Sequence, residues 1–111
     1  CVAAAKAQNL PVRVGNLLSS DDFYKDDADL PENQTAARLW QRLGVLAVEM
    51  EAAALYMNAA RCGKNALAIC SVSDHLFKKQ ELTAAERETS FTNMITLALH
   101  TAERLEQGEQ P

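Results

Sequence analysis

No run of about 18 apolar residues occurs in this sequence, so nothing in it reads as a membrane-spanning helix. No secretory signal is visible either: the chain opens Cys1-Val2-Ala3-Ala4-Ala5-Lys6, without a basic region and a long apolar stretch behind it. Positive charge is scarce. Eleven Lys and Arg face fifteen Asp and Glu, for a net charge of −4, which excludes the basic footprint of a nucleic-acid binder. The three cysteines, Cys1, Cys62 and Cys70, include no CxxC pair and fit neither a zinc site nor a disulfide framework. Cys62 closes a helix-like segment and Cys70 lies in an apolar run, so both are expected to be buried packing residues, and a reducing cytoplasmic compartment is the expected setting. There is no internal repeat and no low-complexity segment. An initiator Met is also missing, and a start at Cys1 inside a helix-like stretch reads as a piece of a longer polypeptide.

What is present is apolar enough to fold. With 111 residues, of which 48% are hydrophobic, the chain has one domain's worth of sequence and can bury roughly two-thirds of its unfolded surface. Val2 to Asn9 is Ala-rich and reads as the end of a helix stopped before Pro11. Pro11 to Leu18 is β-branched and partly alternating, a strand whose Gly15 suggests a bulge or a close backbone approach. Ser19 to Glu32 is a polar, acidic loop around Phe23 and Tyr24, two adjacent aromatics expected to cover either core or ligand. Asn33 to Leu43 carries a helical stripe that ends at Gly44, and Val45 to Val48 suits a buried strand.

From Glu49 to Gly63 strong helix formers place apolar residues on nearly every face, so this helix is expected to pack on more than one side, with Met50 and Met57 in the core. Asn65 to Ser73 is continuously apolar, the pattern of a central parallel strand covered on both faces. Thr83-Ala84-Ala85-Glu86 forms a capping box. The last helix carries Phe91, Ile95, Ala98, Ala102 and Leu105 as its stripe, widened by Met94 and Leu99, and the tail from Gln107 should fray. Helices alternating with apolar strands make an α/β chain with a largely parallel sheet. Three strands are few for a complete domain of that class.

Three places break the apolar pattern in ways that bear on chemistry. Glu49 and Glu51 stand in an otherwise apolar stretch. Either can serve the dipole of a helix's first turn, and Glu51, where the helix begins, can also accept two hydrogen bonds from a vicinal diol. Ser73-Asp74 ends the most apolar strand, the edge at which open parallel sheets bind ligands, although Asp74 could equally cap a turn. Arg87 sits one residue past the capping box, where a cation meets an unfavourable dipole, or is simply exposed beside Glu86 and Glu88. His75 and His100 have no ligand-spaced partner and read as structural.

Taken together, Val48-Glu49-Met50-Glu51-Ala52-Ala53-Ala54, Ser73-Asp74-His75 and Thr83-Ala84-Ala85-Glu86-Arg87 resemble the C-terminal half of the hexameric, bacterial-type purine nucleoside phosphorylases. Upstream, Val14-Gly15-Asn16-Leu17-Leu18-Ser19-Ser20-Asp21-Asp22-Phe23-Tyr24 is similar to that family's loop before the base site. The resemblance runs from Val12 to Ala102, and only Lys25 to Arg42 departs from it, being several residues longer.

The resemblance implies that residues 1–111 are the C-terminal portion of one three-layer α/β/α domain, with the N-terminal half absent. It implies Asp74 as the general acid toward purine N7 and Arg87 as its aid. Glu51 is implied to hold the ribose hydroxyls with Met50 packed on the sugar, and Glu49 counts with them among the substrate-binding residues. Phe23 would cover the base, with Val48 behind it and Ser73 beside it. No metal or cofactor is implied; inorganic phosphate is the co-substrate.

The implied partners are a purine nucleoside, phosphate, the N-terminal half and subunits of a homohexamer, with neither nucleic acid nor membrane among them. The phosphate-holding groups belong to that N-terminal half and to a neighbouring subunit, so these residues by themselves are expected to be inactive. Two alternatives stand beside this reading. Methylthioadenosine/S-adenosylhomocysteine nucleosidases share the Val-Glu-Met-Glu and Ser-Asp motifs but use water, and a non-catalytic, self-associating remnant would keep the fold alone. Uridine phosphorylases share the glutamate motif but replace the Ser-Asp pair.

Overall fold

The computed structural model describes residues 1–22, 29–78 and 80–108, the side chains of 89 and 90 excepted. The chain divides into two compact units, Val14–Ala68 and a second made of Cys1–Arg13 with Ile69–Pro111.

In the unit Val14–Ala68, β1 (Asn16–Ser19) pairs in parallel with β2 (Val45–Glu49). Parallel neighbours need a crossover, and here it runs through a 3-10 turn (Glu32–Gln34) and α2 (Ala36–Arg42). Thr35 caps α2, its hydroxyl accepting from Arg38 N–H at 3.4 Å. Arg38 pairs with the Glu32 carboxylate and Arg42 donates to the Asn33 carbonyl at 3.1 Å, tying α2 to the turn before it. Gly44 then reverses the chain into β2 at φ +79°, a conformation that favours glycine.

The register of the β1–β2 ladder slips between Asn16 and Leu17. Gly15 lies just before the slip, where a Cβ would stand 2.5 Å from Leu46 Cδ1. The bulge and the close approach that the sequence suggests are both present. After β2 comes α3 (Ala52–Arg61), closed by Gly63 at φ +62° and by Lys64 N–H donating to the Ala59 carbonyl at 2.9 Å.

The other unit is built on α1 (Val2–Ala7) against α5 (Thr92–Glu106). Ala4 and Ala5 are small enough to let the two helices approach, and with Leu97 they form the buried cluster, on which Leu10 and Ile69 also pack. Asn9 ends α1 in the left-handed region at φ +54°, two residues before Pro11, which cannot continue a helix. The buried Thr101 hydroxyl is satisfied by donating to the Leu97 carbonyl one turn back, at 2.7 Å. Between these helices β3 (Asp74–His75) and β4 (Gln80–Glu81) form an antiparallel pair, followed by α4 (Ala84–Ser90).

Among the described residues the architecture is α/β with one parallel pair, and four sequence expectations are corrected. Residues 65–73 form no strand: each sheet has two strands and neither includes them, and Leu67 and Val72 are exposed. An apolar run becomes a strand only where a neighbour offers its backbone. On α3 only Ala52 is buried, so Leu55, Tyr56 and Met57, and Met50 before them, stand exposed instead of packing on several sides. Cys62 and Cys70 are exposed, because the helix end and the apolar run that carry them are not enclosed. On α5 the sheltered line is Met94, Leu97 and Thr101, while Ile95, Ala98, Leu99, Ala102 and Leu105 face outward. Periodicity gave the right period and the wrong face, because two apolar lines run along this helix and α1 covers one. Among the described residues no helix is long and apolar enough to cross a membrane.

Candidate active site

The glutamate motif lies where β2 passes into α3. A helix start leaves its first amides without backbone partners, and a nearby carboxylate is the strongest acceptor available to them. Glu49 supplies it. Its Oε2 accepts from Glu51 N–H at 2.8 Å and from Ala52 N–H at 2.6 Å, and its Oε1 accepts from the Ser19 hydroxyl. Ser19 Oγ in turn accepts from Ala53 N–H at 2.9 Å. The Ser19 hydroxyl holds the Glu49 carboxyl below its ordinary value of 4.5; partial burial opposes that shift, and the two amides reinforce it.

Glu51 is the N-cap residue of α3 yet makes no capping bond with its side chain, and it is exposed. Val48 and Met50 are exposed as well, and they alternate along the chain with the half-buried Ala47 and Glu49. The resemblance groups Glu49 with the substrate contacts; in the structure both its oxygens accept hydrogen bonds from the protein itself. Ser19, read from sequence as the first residue of a polar loop, is the last residue of β1 and stands opposite Glu49 in the ladder. Pairing the two predicted strands in parallel would have brought Ser19 and Glu49 together.

The second motif is assembled in the other unit. Arg87 Nη2 donates to Asp74 Oδ1 at 2.9 Å, and Ser73 Oγ donates to Asp74 Oδ2 at 2.9 Å. Each carboxylate oxygen therefore has a donor of its own. Thirteen residues separate the ion pair in sequence, and two devices bridge them. The β3–β4 pairing returns the chain beside Asp74, with Asp74 opposite Glu81, and Leu82 N–H donates to the Ser73 carbonyl at 2.9 Å. The capping box then starts α4: Glu86 N–H donates to Thr83 Oγ1 at 3.3 Å, and Thr83 N–H to Glu86 Oε2 at 2.8 Å. The bond from the Thr83 amide, with one from its hydroxyl, holds the Glu86 carboxyl below 4.5. Glu86 thus faces inward to the cap, and Arg87, the next residue, carries its guanidinium to Asp74.

His75 serves structure: its Nδ1 accepts from Phe77 N–H at 3.2 Å, and its ring meets the Phe77 ring edge-on with centroids 6.1 Å apart. His100 Nδ1 lies 3.4 Å from the Glu103 carboxylate, one turn along the exposed side of α5. Phe23, expected over the base, lies outside the described residues, as do Tyr24 and the end of the C-terminal tail. Among the described residues no cluster of three or more His, Cys, Asp or Glu could hold a metal ion.

Comparison with known proteins places the chain in a family. The chain is 50% identical over 98 residues to a protein of Clostridium novyi named purine nucleoside phosphorylase DeoD-type, covering 88% of this chain and 40% of that protein. Proteins of the same name from Bacillus velezensis and Proteus mirabilis are 48% identical over 97 residues and 45% identical over 105 residues. Those alignments cover 87% and 95% of this chain, and 39% and 42% of the respective relatives. The chain thus spans about two-fifths of the length of the curated relatives it matches. Residues 1–105 match the phosphorylase superfamily as a whole, and the chain belongs to that family.

Proposed function

We propose that the natural protein carrying this chain is a purine nucleoside phosphorylase, converting a purine nucleoside and phosphate to the free base and ribose 1-phosphate, and that this chain supplies the nucleoside side of its site. The observation that supports the reading most is the Asp74 carboxylate held by Arg87 on one oxygen and Ser73 on the other. The relatives' names point the same way.

The chemistry assigns each group a role. A purine anion leaves poorly, so Asp74, having first taken up a proton from solvent, gives it to N7 as the N9–C1′ bond breaks and that bond's electron pair passes to the base. Arg87 stabilises the carboxylate that remains once the proton has left. Glu51 accepts the ribose 2′- and 3′-hydroxyls, Met50 packs on the sugar, and Glu49 holds the turn that carries both. Phe23, Val48 and Ser73 border the base. A phosphate oxygen closes the new bond at the oxocarbenium-like C1′. No cofactor is required by this sequence of steps, and no partner besides nucleoside, phosphate and protein subunits.

The proposal extends to the whole protein. Residues 1–111 form the C-terminal portion of a single three-layer α/β/α domain, and the phosphate is held by the rest of the polypeptide and by a neighbouring subunit of a homohexamer. The enzyme works in the cytoplasm, in purine salvage, and these 111 residues alone do not turn over nucleoside. The deciding experiment incubates the natural protein with inosine or adenosine, with and without phosphate. Release of free base together with ribose 1-phosphate, only when phosphate is present, supports the proposal. Base released equally without phosphate would make the protein a nucleosidase, and no release would reject both readings.

A further inference from the structure

The N-terminus of α3 is capped in an unusual way. Its N-cap residue is Glu51, a side chain able to fold back on the helix's own amides, yet it makes no such bond. Three consecutive amides are taken instead by groups from outside the helix. Glu51 and Ala52 N–H donate to Glu49 Oε2, and Ala53 N–H donates to Ser19 Oγ. The same Ser19 hydroxyl gives its proton to Glu49 Oε1, so it fixes the carboxylate that serves the other two amides. One hydroxyl therefore fills a donor role and an acceptor role at once, which no apolar side chain and no backbone group here could replace.

From this we propose that Ser19 is a positioning residue for Glu51. Together with Glu49 it satisfies the start of α3, so the Glu51 carboxylate is released from capping and held free to meet a sugar diol. The inference rests on the proposed role of Glu51 and adds to it the reason its carboxylate is available. Without the Ser19 hydroxyl, Ala53 N–H loses its acceptor and Glu49 loses its second anchor. Glu51, the N-cap residue, then has reason to fold its carboxylate back onto the freed amide. Sugar binding and helix capping compete for one side chain, and Ser19 decides the competition.

The test uses the natural protein with Ser19→Ala and Ser19→Thr, reading inosine and 2′-deoxyinosine by equilibrium binding without phosphate and by steady-state phosphorolysis. Ser19→Ala should weaken inosine binding and raise its KM by about tenfold, the size of one hydrogen bond to a charged group, with kcat changed less than about twofold. The loss should be smaller for 2′-deoxyinosine, which asks less of Glu51. Ser19→Thr, which keeps the hydroxyl, should restore both constants. A fall in kcat alone, equal losses for the two sugars, or failure of Ser19→Thr to rescue would overturn the proposal, because a merely structural Ser19 gives those results. Wild-type protein that binds inosine but does not phosphorolyse it would refute the proposed reaction while the binding comparison still decides the role of Ser19. Wild-type protein that binds neither nucleoside would overturn both.

Discussion

Replacing Asp74 by Asn separates the chemical role of the carboxylate from its structural one. The amide keeps the size of the side chain and most of its contacts. With Oδ1 turned to Arg87 and Nδ2 turned to Ser73, the guanidinium still donates, and the Ser73 hydroxyl rotates from donor to acceptor. What disappears is the charge. The Arg87 side chain is 44% exposed and that of Asp74 25%, so water screens the pair, and losing it should cost the fold less than about 1 kcal/mol. The chemical loss should be far larger. An amide cannot deliver the proton to N7, and general acid catalysis typically contributes about 10²–10⁴-fold, or roughly 3–5.5 kcal/mol of barrier. Thermal unfolding of Asp74→Asn should therefore stay close to wild type while kcat for inosine phosphorolysis falls at least a hundredfold. An inosine already methylated at N7 carries the positive charge that the acid would have supplied, and the variant should cleave it nearly as fast as wild type does. A drop of less than about tenfold on inosine, or an equal drop on the N7-methylated nucleoside, would refute the assignment.

Three further outcomes are expected. Glu51→Gln should hurt ribosides more than 2′-deoxyribosides by roughly 1.5–3 kcal/mol in kcat/KM, one charge-assisted bond being already absent from the latter; parallel losses would show that Glu51 does not meet the 2′-hydroxyl. Thr83→Ala removes half of the capping box under Arg87 and should cost about 1 kcal/mol in thermal unfolding, whereas Thr83→Ser should hold near wild type. Glu49 and Glu86 both have carboxyls held below 4.5, so their stabilisation is complete above that pH and drains away as pH falls through the lowered values. The Tm difference between wild type and Glu49→Gln should accordingly be constant from neutral pH to about 5 and shrink below 4.5; a difference that grows in acid would contradict the hydrogen bonds drawn to Glu49.

The features legible in sequence are those governed by near neighbours. The Thr83–Glu86 capping box occupies four consecutive residues and forms as read, and Gly44 and Gly63 end their helices at positive φ. Gly15 announces its bulge because only a missing side chain tolerates Leu46 so close. The ion pair of Asp74 with Arg87 is not local in this sense: thirteen residues separate its members, and only the family resemblance joins them. What the sequence does not yield depends on who the neighbour is. Leu97, and not Ile95, turns inward because α1 lies on that side, and no local pattern along α5 encodes the position of α1. Residues 65–73 have the composition of a covered strand, but composition supplies no partner backbone. The carboxylates mislead for a similar reason. Glu49 and Glu51 look alike on paper, and only the parallel register that sets Ser19 opposite Glu49 distinguishes the helix anchor from the exposed acid.

The bond from Ser19 to Glu49 closes a span of 30 residues, and that from Ala53 to Ser19 a span of 34. Bringing the ends of such a loop together costs roughly 3 kcal/mol of chain entropy, which a single hydrogen bond does not return. The start of α3 cannot be completed by α3. Its turns can flicker into being within microseconds, and Glu49 is local enough to take its first two amides, but the Ala53 amide and the second anchor of Glu49 wait until β1 has found β2. In the order of folding, the pose of the Glu51 carboxylate is thus among the last things this unit acquires. Slow or failed docking of β1 would leave a helix of nearly normal content with its acidic turn unset, a species that circular dichroism would pass as native and only ligand binding would reject.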